Sequence, residues 1–532
     1  MTTLGASVAP LLAALGVERV FGLPGNHTVE LYRGLAETNI VHTTARHEQG
    51  AAFMADGYAR ATGAVGVCFV ISGPGLLNAA TAAAQAQADC VPLLVISAAL
   101  PVRTQGAPIA LHEMHDQAAA GRAIFRESIT ITTAEALASE LPRVYERMQG
   151  SARGAYHLQI PIDAMAKPVR WVPAAAAGTF SIVPKPDAVE AAAAVLNEAA
   201  RPLVLLGGGA MSARVQALVE TLDAPVLNTV NGKGVLSFGH PLAVGGSPSL
   251  PGLQAALRAA DVVLALGTQF AETDYDLLMA DPLALEGQLV RVDVDERNLQ
   301  HPYPAAVAVQ ADVGAFVEQV LPRLVARARS GEERSRALRE VVREERHYHP
   351  DFSTFFSALT AAAEDLVVVG DSARPNYYAA WMFEQLAPRR YWHSASGFGT
   401  LGYALPAAIG AALGSNAPVA ALIGDGGLQF TLPELATAVD AGLGLAIVIW
   451  ANSGYEEISR SFESANVPQQ TCQISSPDFA MIAAAYGCAH AAPSTADELT
   501  DSLRVAFEAS TPTLIRVDQA KFTSLPSGGW YG

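Results

Sequence analysis

The sequence predicts an α/β protein with three domains, in which doubly wound parallel sheets are covered by helices. Three observations support this fold class. The chain has 532 residues, more than one hydrophobic core normally organises. Short β-branched segments alternate with alanine-rich segments of helical length, which is typical of parallel sheets. Proline-rich and highly charged stretches interrupt this alternation twice, and the units at either end of the chain are similar in pattern.

The first predicted domain comprises residues 1–166. Its strand-like segments are 20–21, 65–71 and 93–97, and its helical segments are 51–61 and 77–88. The apolar character of the strand-like segments is expected for parallel strands covered on both faces. A segment with four prolines, 167–186, then indicates a linker.

The second predicted domain, residues 187–325, has a Rossmann-like pattern. Its strand-like segments are 203–206, 262–266 and 289–294. Gly207-Gly208-Gly209 follows the first of these and imitates a dinucleotide-binding loop, but its spacing does not fit the full fingerprint. We therefore favour a structural glycine turn at this point over a nucleotide site.

The third predicted domain, residues 350–532, follows a charged run at 327–346 that we interpret as a solvated linker helix. Its strand-like segments are 366–369, 419–423, 445–450 and 513–517. Their alternation with helical segments matches that of the first domain, so we expect these two domains to be related.

Charge, cysteine usage and hydropathy exclude several classes of protein. The formal net charge is −17 without a basic cluster, so we expect neither a nucleic-acid partner nor an anionic membrane. The four cysteines stand singly in apolar surroundings, which argues against disulfides and zinc. No apolar run reaches the roughly 18 residues of a membrane span, and the N-terminus does not resemble a signal peptide. We therefore expect a cytoplasmic protein.

Two glycine turns in the third domain carry the most informative chemistry. Gly424-Asp425-Gly426 ends an apolar strand, and Asn452-Ser453-Gly454 ends the next one, after a predicted helix at 432–439. Neighbouring parallel strands end at one sheet edge, where open α/β sheets bind ligands. Glycine turns admit a phosphate, and carboxylate, amide and carbonyl oxygens suit a divalent cation. The two turns predict a magnesium diphosphate site, although Gly-Asp-Gly alone also fits an ordinary strand-to-helix turn.

Three further segments connect these turns to a known family. They are 46–50 (Arg-His-Glu-Gln-Gly), 72–79 (Ser-Gly-Pro-Gly-Leu-Leu-Asn-Ala) and 396–410, which begins Ser-Gly-Phe-Gly-Thr-Leu-Gly. With the Gly-Asp-Gly turn, they resemble the thiamine-diphosphate-dependent enzymes in order and spacing. In that family the cofactor lies between the first domain of one chain and the third domain of another. The resemblance therefore implies a homodimer or homotetramer.

The resemblance also implies roles for individual residues. Glu48 would hydrogen-bond the aminopyrimidine ring and activate thiamine diphosphate, and Leu401 would support the bent cofactor. Asp425, Asn452 and the Gly454 carbonyl would bind Mg²⁺, with Ala451 in place of the family's first Asn. The full implied cofactor set is Glu48, Gly73, Pro74, Arg374, Gly399, Leu401, Gly424, Asp425, Gly426, Gly427, Asn452, Gly454 and Tyr455.

Within the family the sequence most resembles the 5-guanidino-2-oxopentanoate (2-ketoarginine) decarboxylases. The similarity lies in a run from His27 to Leu35, the His-Glu pair at 112–113 and the Glu-Thr-Asp-Tyr-Asp segment at 272–276. The segment 268–276 also replaces the Arg-Phe-Asp-Asp-Arg element with which acetolactate synthases help to hold FAD. Thiamine diphosphate and Mg²⁺ are the cofactors that the resemblance implies, and FAD is not expected to bind.

A decarboxylase needs a proton donor, and a guanidinium substrate needs a carboxylate. His112, His115 and His27 are candidate donors, and each could instead be a structural histidine. Glu456 and Glu457 could bind the guanidinium or merely begin a solvated helix. The predicted catalytic residues are Glu48, His112, His115 and Glu457, and the predicted substrate residues are Asn26, His27, Gln117, Glu456 and Glu457. Acetolactate-synthase-like carboligation and an inactive cofactor-binding scaffold are the alternatives.

Overall fold

A computed structural model describes residues 2–104, 110–150, 152–170, 181–211, 213–275, 283–345 and 352–522. It contains three parallel sheets, each flanked by helices, and confirms the predicted α/β fold class. Parts of the predicted linker at 167–186, both ends of the unit at 350–532, and Asp276 of the segment 268–276 lie outside the described residues. No helix among the described residues is long and apolar enough to cross a membrane.

The first domain is a six-stranded sheet with the strand order β3-β2-β4-β5-β7-β6. Every neighbouring pair in it is parallel, and a short antiparallel pair, β1 with β8, joins the two ends of the domain. The strands are β1 (Thr2–Thr3), β2 (Arg19–Gly22), β3 (Val41–Thr44), β4 (Gly66–Val70), β5 (Leu93–Ala99), β6 (Glu127–Thr130), β7 (Ala155–Pro161) and β8 (Pro168–Val169). The helices are α1 (Val8–Ala14), α2 (Val29–Leu35), α3 (Glu48–Thr62), α4 (Pro74–Ala88), α5 (Gln117–Ile124), α6 (Ala134–Gln149) and α7 (Ile162–Met165).

The middle domain is a five-stranded parallel sheet with the order β10-β9-β11-β12-β13. The strands are β9 (Pro202–Leu206), β10 (Val226–Asn228), β11 (Val262–Leu266), β12 (Gln288–Asp293) and β13 (Val307–Gln310). The helices are α8 (Pro186–Glu198), α9 (Gln216–Leu222), α10 (Pro251–Ala259), α11 (Glu272–Tyr275) and α12 (Val313–Val320). Helix α13 (Gly331–Glu345) lies within the charged run at 327–346, where a helix was predicted.

The third domain is a six-stranded parallel sheet with the order β15-β14-β16-β17-β19-β18. The strands are β14 (Val367–Gly370), β15 (Tyr391–His393), β16 (Val419–Gly424), β17 (Ala446–Ala451), β18 (Ala489–Ala491) and β19 (Thr513–Asp518). The helices are α14 (Ser353–Ala362), α15 (Arg374–Met382), α16 (Ala404–Gly414), α17 (Asp425–Thr431), α18 (Glu434–Asp440), α19 (Glu456–Ser464), α20 (Phe479–Tyr486) and α21 (Ala496–Glu508). Counted from its own first strand, this sheet repeats the order of the first domain. The common topology confirms that the two domains are related.

The first and third domains pack through α3 and α16 and share one hydrophobic core cluster. Glycines permit the close approach of the two helices. A Cβ atom added at Gly57 would lie 2.0 Å from the Ala407 carbonyl oxygen, and one at Gly410 would lie 1.9 Å from that of Met54. Tyr403 donates a hydrogen bond to the buried Asp56 carboxylate across the same contact. The middle of α3 is thereby held against α16.

One helix differs from its predicted form. The segment predicted as a single helix at 432–439 is preceded by α17, which begins at Asp425 itself, and α18 begins only at Glu434. Pro433 separates the two helices because proline has no N–H to continue the helical hydrogen bonding. The Asp425 carboxylate therefore stands at the first turn of a helix.

Candidate active site

The two predicted turns of the third domain lie side by side. Strands β16 and β17 are paired so that Gly424 is opposite Trp450, which brings the residues after both strands to one sheet edge. Asp425 is 1% exposed, and its Oδ2 accepts a hydrogen bond from the Ser453 N–H at 2.9 Å. The Asn452 Oδ1 accepts one from the Gly454 N–H at 3.3 Å. The Asp425 carboxylate is thus hydrogen-bonded to the turn 452–454, which begins with Asn452.

Ala451, which replaces the family's first Asn, ends β17 and is buried. Its carbonyl oxygen accepts a hydrogen bond from the Gln519 N–H at 3.0 Å. The Gln519 side-chain oxygen in turn accepts one from the Trp450 indole at 2.8 Å. The end of the strand is therefore fixed by its neighbour β19, and a buried methyl group fills the position without leaving an unpaired polar atom.

The residues of this edge fit a magnesium diphosphate. An open depression of about 470 Å³ is lined by Gly426, Gln429, Phe430, Tyr455, Ile474 and Ser475. A Cβ atom added at Gly426 would lie 2.9 Å from Ile474 and 3.1 Å from the Tyr455 ring, so the absent side chain keeps the start of α17 open. The carboxylate, amide and carbonyl oxygens of Asp425, Asn452 and Gly454 are hard donors of the kind that Mg²⁺ prefers. Phosphate is likewise suited to a helix N-terminus.

A buried aspartate anchors the loop that contains Gly399 and Leu401. Asp371 accepts hydrogen bonds from the Ser372 N–H at 2.8 Å and the Ala404 N–H at 3.1 Å. Burial raises the pKa of Asp371 to about 6, and the backbone N–H groups oppose that shift. The Ser394 hydroxyl donates to the Thr400 carbonyl at 2.6 Å on the other side of the loop. Gly399 is exposed with φ +73°, and Leu401 is half-buried beside it.

Glu48 is the first residue of α3, at the carboxyl edge of the first sheet. The Asn78 side chain, on α4, donates a hydrogen bond to its Oε2 at 2.9 Å. A Cβ atom added at Gly75 would lie 3.4 Å from its Oε1, so the turn before α4 faces the carboxylate. The structure therefore brings together the two predicted segments 46–50 and 72–79.

Gln117 fixes the turn at Gly73, which has φ +63° and precedes Pro74 at the start of α4. Its side-chain oxygen accepts from the Gly73 N–H at 2.8 Å. Its side-chain nitrogen donates to the Ala98 carbonyl at 2.8 Å and to the Gln159 side chain at 3.0 Å. These hydrogen bonds assign Gln117 a positioning contact, and its predicted contact with substrate stays a prediction.

Two of the three candidate histidines lie together above this turn. The ring centroids of His27 and His112 are 5.0 Å apart, and the Nδ1 of His27 is 2.6 Å from the Ser72 hydroxyl. Burial lowers the pKa of His27, and the neighbouring His112 lowers it further. His112 has a left-handed backbone with φ +61°, which is uncommon for a residue other than glycine. His115 and Asn26 are exposed.

The acidic pair Glu456 and Glu457, which follows the turn 452–454, has two different environments. Glu456 forms an ion pair with the buried guanidinium of Arg374 and accepts a hydrogen bond from the Asn452 amide at 3.0 Å. The Glu457 carboxylate lies 3.7 Å from Arg374, and its side chain is 41% exposed. Burial raises the pKa of Glu457, while Arg460 and Arg374 oppose the shift. Glu456 is thus engaged with Arg374 and Asn452, whereas the Glu457 carboxylate is partly open to solvent.

A second cavity, of about 360 Å³, lies where the three domains meet. Gly208, Gly209 and Thr268 line it, as does Asp274, whose pKa burial raises to about 7. The Thr268 carbonyl accepts a hydrogen bond from Arg291 at 3.0 Å. This cavity is separate from the edge that contains Asp425 and Asn452, and the expected lack of flavin there stays a prediction.

Comparison with known protein families identifies the class of this protein. The N-terminal TPP-binding domain of the thiamine pyrophosphate enzymes matches residues 2–120, the central domain matches 189–320, and the C-terminal TPP-binding domain matches 374–517. The chain belongs to the thiamine pyrophosphate enzymes, and thiamine diphosphate is therefore its cofactor.

Individual relatives refine this assignment. The chain is 40% identical over 531 residues to the "Probable 2-ketoarginine decarboxylase AruI" of Pseudomonas aeruginosa. The matched region covers 97% of this chain and 94% of that protein. It is 30% identical to the acetolactate synthase isozyme 1 large subunit of Escherichia coli, over 84% of this chain and 81% of that protein. A probable acetolactate synthase large subunit of Methanocaldococcus jannaschii is 27% identical, over 98% and 93% of the two chains.

Several residues of the site were not singled out from the sequence. Asn78 was visible as part of the 72–79 segment but carried no role until its contact with Glu48 was known. Asp371 was visible in the Gly-Asp-Ser segment 370–372, which resembles the same decarboxylases, but it carried no role until its contact with the loop was known. Ser394 acts on that loop as well, and no local pattern distinguishes it from other polar residues at strand ends. The long-range contacts of the fold were needed to find them.

Proposed function

We propose that this enzyme decarboxylates a 2-oxo acid, 5-guanidino-2-oxopentanoate, to an aldehyde and CO₂ without oxidation. The observation that carries the proposal is the 40% identity, over 97% of the chain, to a protein named as a probable 2-ketoarginine decarboxylase. Thiamine diphosphate supplies a nucleophilic carbon for the substrate's keto group and accepts the electrons left by departing CO₂.

Asp425, Asn452 and the Gly454 carbonyl are proposed to bind Mg²⁺ and, through it, the diphosphate. Support comes from their convergence on one turn and from the hardness of the three oxygen donors. Gly424, Gly426 and Gly427 would admit the diphosphate at the start of α17, with Tyr455 beside it. Arg374 begins α15 next to the same turn and would add a positive charge.

Glu48 is proposed to hold and transfer the proton that activates the cofactor. Its contact with Asn78 supports this role because the amide orients one carboxylate oxygen and leaves the other for a ligand. Gly73, Pro74 and the loop with Gly399 and Leu401 would bind the ring system around it. In this proposal each active site combines the first domain of one protomer with the third domain of its partner, so that a homodimer or homotetramer is the active form.

His27 and His112 are proposed to deliver the proton that completes the aldehyde. Their rings are adjacent at the edge that also presents Glu48, and Ser72 orients His27. Because burial disfavours the charged form of His27, a neutral imidazole that donates its N–H is the expected state near pH 7. His115 and Asn26 remain candidates for contact with substrate from an exposed loop and turn.

Glu457 is proposed to recognise the guanidinium of the substrate. Glu456 already pairs with Arg374 and Asn452, so of the two acids Glu457 has the carboxylate better placed for an incoming cation. A guanidinium presents a planar fork of donors that matches a carboxylate. Glu456 would then act indirectly, by holding Arg374 and Asn452 in place.

Acetolactate-synthase-like carboligation is the alternative, favoured by the 30% identity to an acetolactate synthase large subunit. A scaffold that binds cofactor without catalysis is the other alternative and follows from Ala451. The test combines purified protein, thiamine diphosphate, Mg²⁺ and either pyruvate or 5-guanidino-2-oxopentanoate. Release of CO₂ with the guanidino aldehyde supports the proposal. Acetolactate from pyruvate as the main product would refute it, and a lack of CO₂ release from every 2-oxo acid would leave the scaffold.

A further inference from the structure

The turn that precedes Glu48 is held by a carboxylate from the third domain of the same chain. Glu434, the first residue of α18, is 1% exposed. Its Oε1 accepts hydrogen bonds from the backbone N–H of Arg46 at 3.1 Å and of His47 at 3.0 Å. Its Oε2 accepts from the Thr437 hydroxyl at 2.6 Å and lies 3.2 Å from the Arg46 nitrogen. These donors stand immediately before Glu48.

The sequence of α3 leaves room for this carboxylate. A Cβ atom added at Gly50 would lie 2.1 Å from the Glu434 Oε1 and 2.5 Å from its carboxyl carbon. Any larger residue at position 50 would therefore displace Glu434 from the turn. A glycine on one domain and a glutamate on another together create the contact.

The contact also suits the electrostatics of a helix start. The first N–H groups of a helix and those just before it have no partner within the helix, and a negative charge is favourable near them. Burial raises the pKa of Glu434, while the N–H groups of Arg46 and His47 and the hydroxyl of Thr437 oppose that shift. A buried carboxylate of this kind persists only where hydrogen bonds replace its water.

We propose that Glu434 is a positioning residue for Glu48: by binding the backbone of residues 46 and 47, it sets the point at which α3 begins and so the place of the Glu48 carboxylate. The inference rests on the proposed role of Glu48 in activating the cofactor. The third domain would then have two roles. It would bind the diphosphate, and it would orient the Glu48 carboxylate of its own chain.

A neighbouring ion pair provides a matched control. Arg46 also pairs through its side chain with Asp440 on the last turn of α18. The Asp440 side chain is 66% exposed, and exposed ion pairs contribute little. Asp440→Asn therefore alters the same two elements without removing the backbone contacts of Glu434.

The test begins with the unmodified protein. Hydrogen–deuterium exchange should find the amides of Arg46 and His47 protected, although they precede the helix, and rapid exchange of both would overturn the proposal. Glu434→Ala, which removes both acceptor oxygens, and Gly50→Ala are then compared with Asp440→Asn, after circular dichroism and the melting temperature have established which variants are folded. Both variants of the contact should lose this amide protection, and Asp440→Asn should retain it.

Activation is measured as exchange of the cofactor's C2 proton in the complex with thiamine diphosphate and Mg²⁺. The exchange rate should fall about ten- to a hundredfold in Glu434→Ala and Gly50→Ala, the size of effect expected for a misplaced catalytic group. The dissociation constant of thiamine diphosphate should change less than about threefold, because the groups that bind metal and diphosphate remain. A parental exchange rate in Glu434→Ala, or a loss of cofactor affinity equal to the loss of exchange, would overturn the inference.

Glu48→Gln separates this inference from the proposed function. Slow exchange in Glu48→Gln together with a parental rate in Glu434→Ala means that Glu48 activates the cofactor without help from Glu434. A parental rate in Glu48→Gln means instead that the proposed role of Glu48 is wrong, whatever Glu434 does.

Discussion

Replacement of Glu457 by Gln tests the proposed recognition of the substrate's guanidinium. The variant keeps the size of the side chain and removes its charge. A charge-assisted hydrogen bond contributes about 1.5–3 kcal/mol, and a fully exposed pair contributes about 0.2–1 kcal/mol. Glu457 is 41% exposed and lies 3.7 Å from the competing Arg374, so an intermediate value of about 1–1.5 kcal/mol is appropriate. This corresponds to a roughly five- to twelvefold loss in kcat/KM for the guanidino acid.

The assay measures CO₂ release from a panel of 2-oxo acids of similar length with guanidino, amino, neutral aliphatic and aromatic tails. The guanidino acid should lead in the parent protein and lose that lead in Glu457→Gln, while neutral acids change less than twofold. Glu463→Gln, an exposed acid on the same helix α19, is the matched control and should leave the whole panel unchanged. Equal losses for charged and neutral substrates, or a neutral acid that leads from the start, would refute this role for Glu457.

Four further expectations concern the cofactor, the metal, the domain contact and pH. Glu48→Gln should lower turnover by about two to four orders of magnitude while magnesium diphosphate still binds, and titration calorimetry with steady-state rates separates the two effects. Asp425→Ala should lose metal and cofactor together, as measured by equilibrium dialysis, because the buried carboxylate that is proposed to bind Mg²⁺ is removed. Gly410→Ala should lower the free energy of unfolding by at least about 1–3 kcal/mol in urea, since its Cβ would meet a backbone oxygen 1.9 Å away. Asp274, with its pKa raised to about 7, favours the folded state most below about pH 4 and loses that contribution as pH rises through 7. Asp274→Asn should therefore make the melting temperature less dependent on pH between 4 and 7, and an unaltered dependence would contradict the assignment.

The three sheets could be predicted from the sequence because buried parallel strands are short apolar segments that alternate with helices. Most of the quoted segments lie within one or two residues of a strand in the structure, as at 262–266 and 445–450. Helix α17 was missed because Gly-Gly at 426–427 is typical of a loop, whereas in the structure a helix begins directly at Asp425. That prediction relied on the local glycine content alone.

The candidate site was predictable to the extent that it consists of short motifs. The number of residues between Asp425 and Asn452 can be counted in the sequence. It matches the length of one helical connection and one strand, which places both turns at the same sheet edge. The different environments of Glu456 and Glu457 could not be predicted from the sequence, because they depend on contacts with Arg374 at the start of a distant helix. The same holds for Glu434, which acts on a turn at the other end of the chain.

The core shared by the first and third domains determines which fragments of the protein can fold and which domains can be exchanged. Phe53 and Tyr403, from the two domains, stack edge to face at 5.1 Å within that core, whereas the middle domain's sheet is buried largely by clusters of its own. A fragment ending after the first domain would expose the apolar face that α16 covers, and it should aggregate rather than fold. Chimaeras with related enzymes should accordingly exchange the outer two domains as a pair or the middle domain alone, and partial unfolding should release the middle domain as a separate unit.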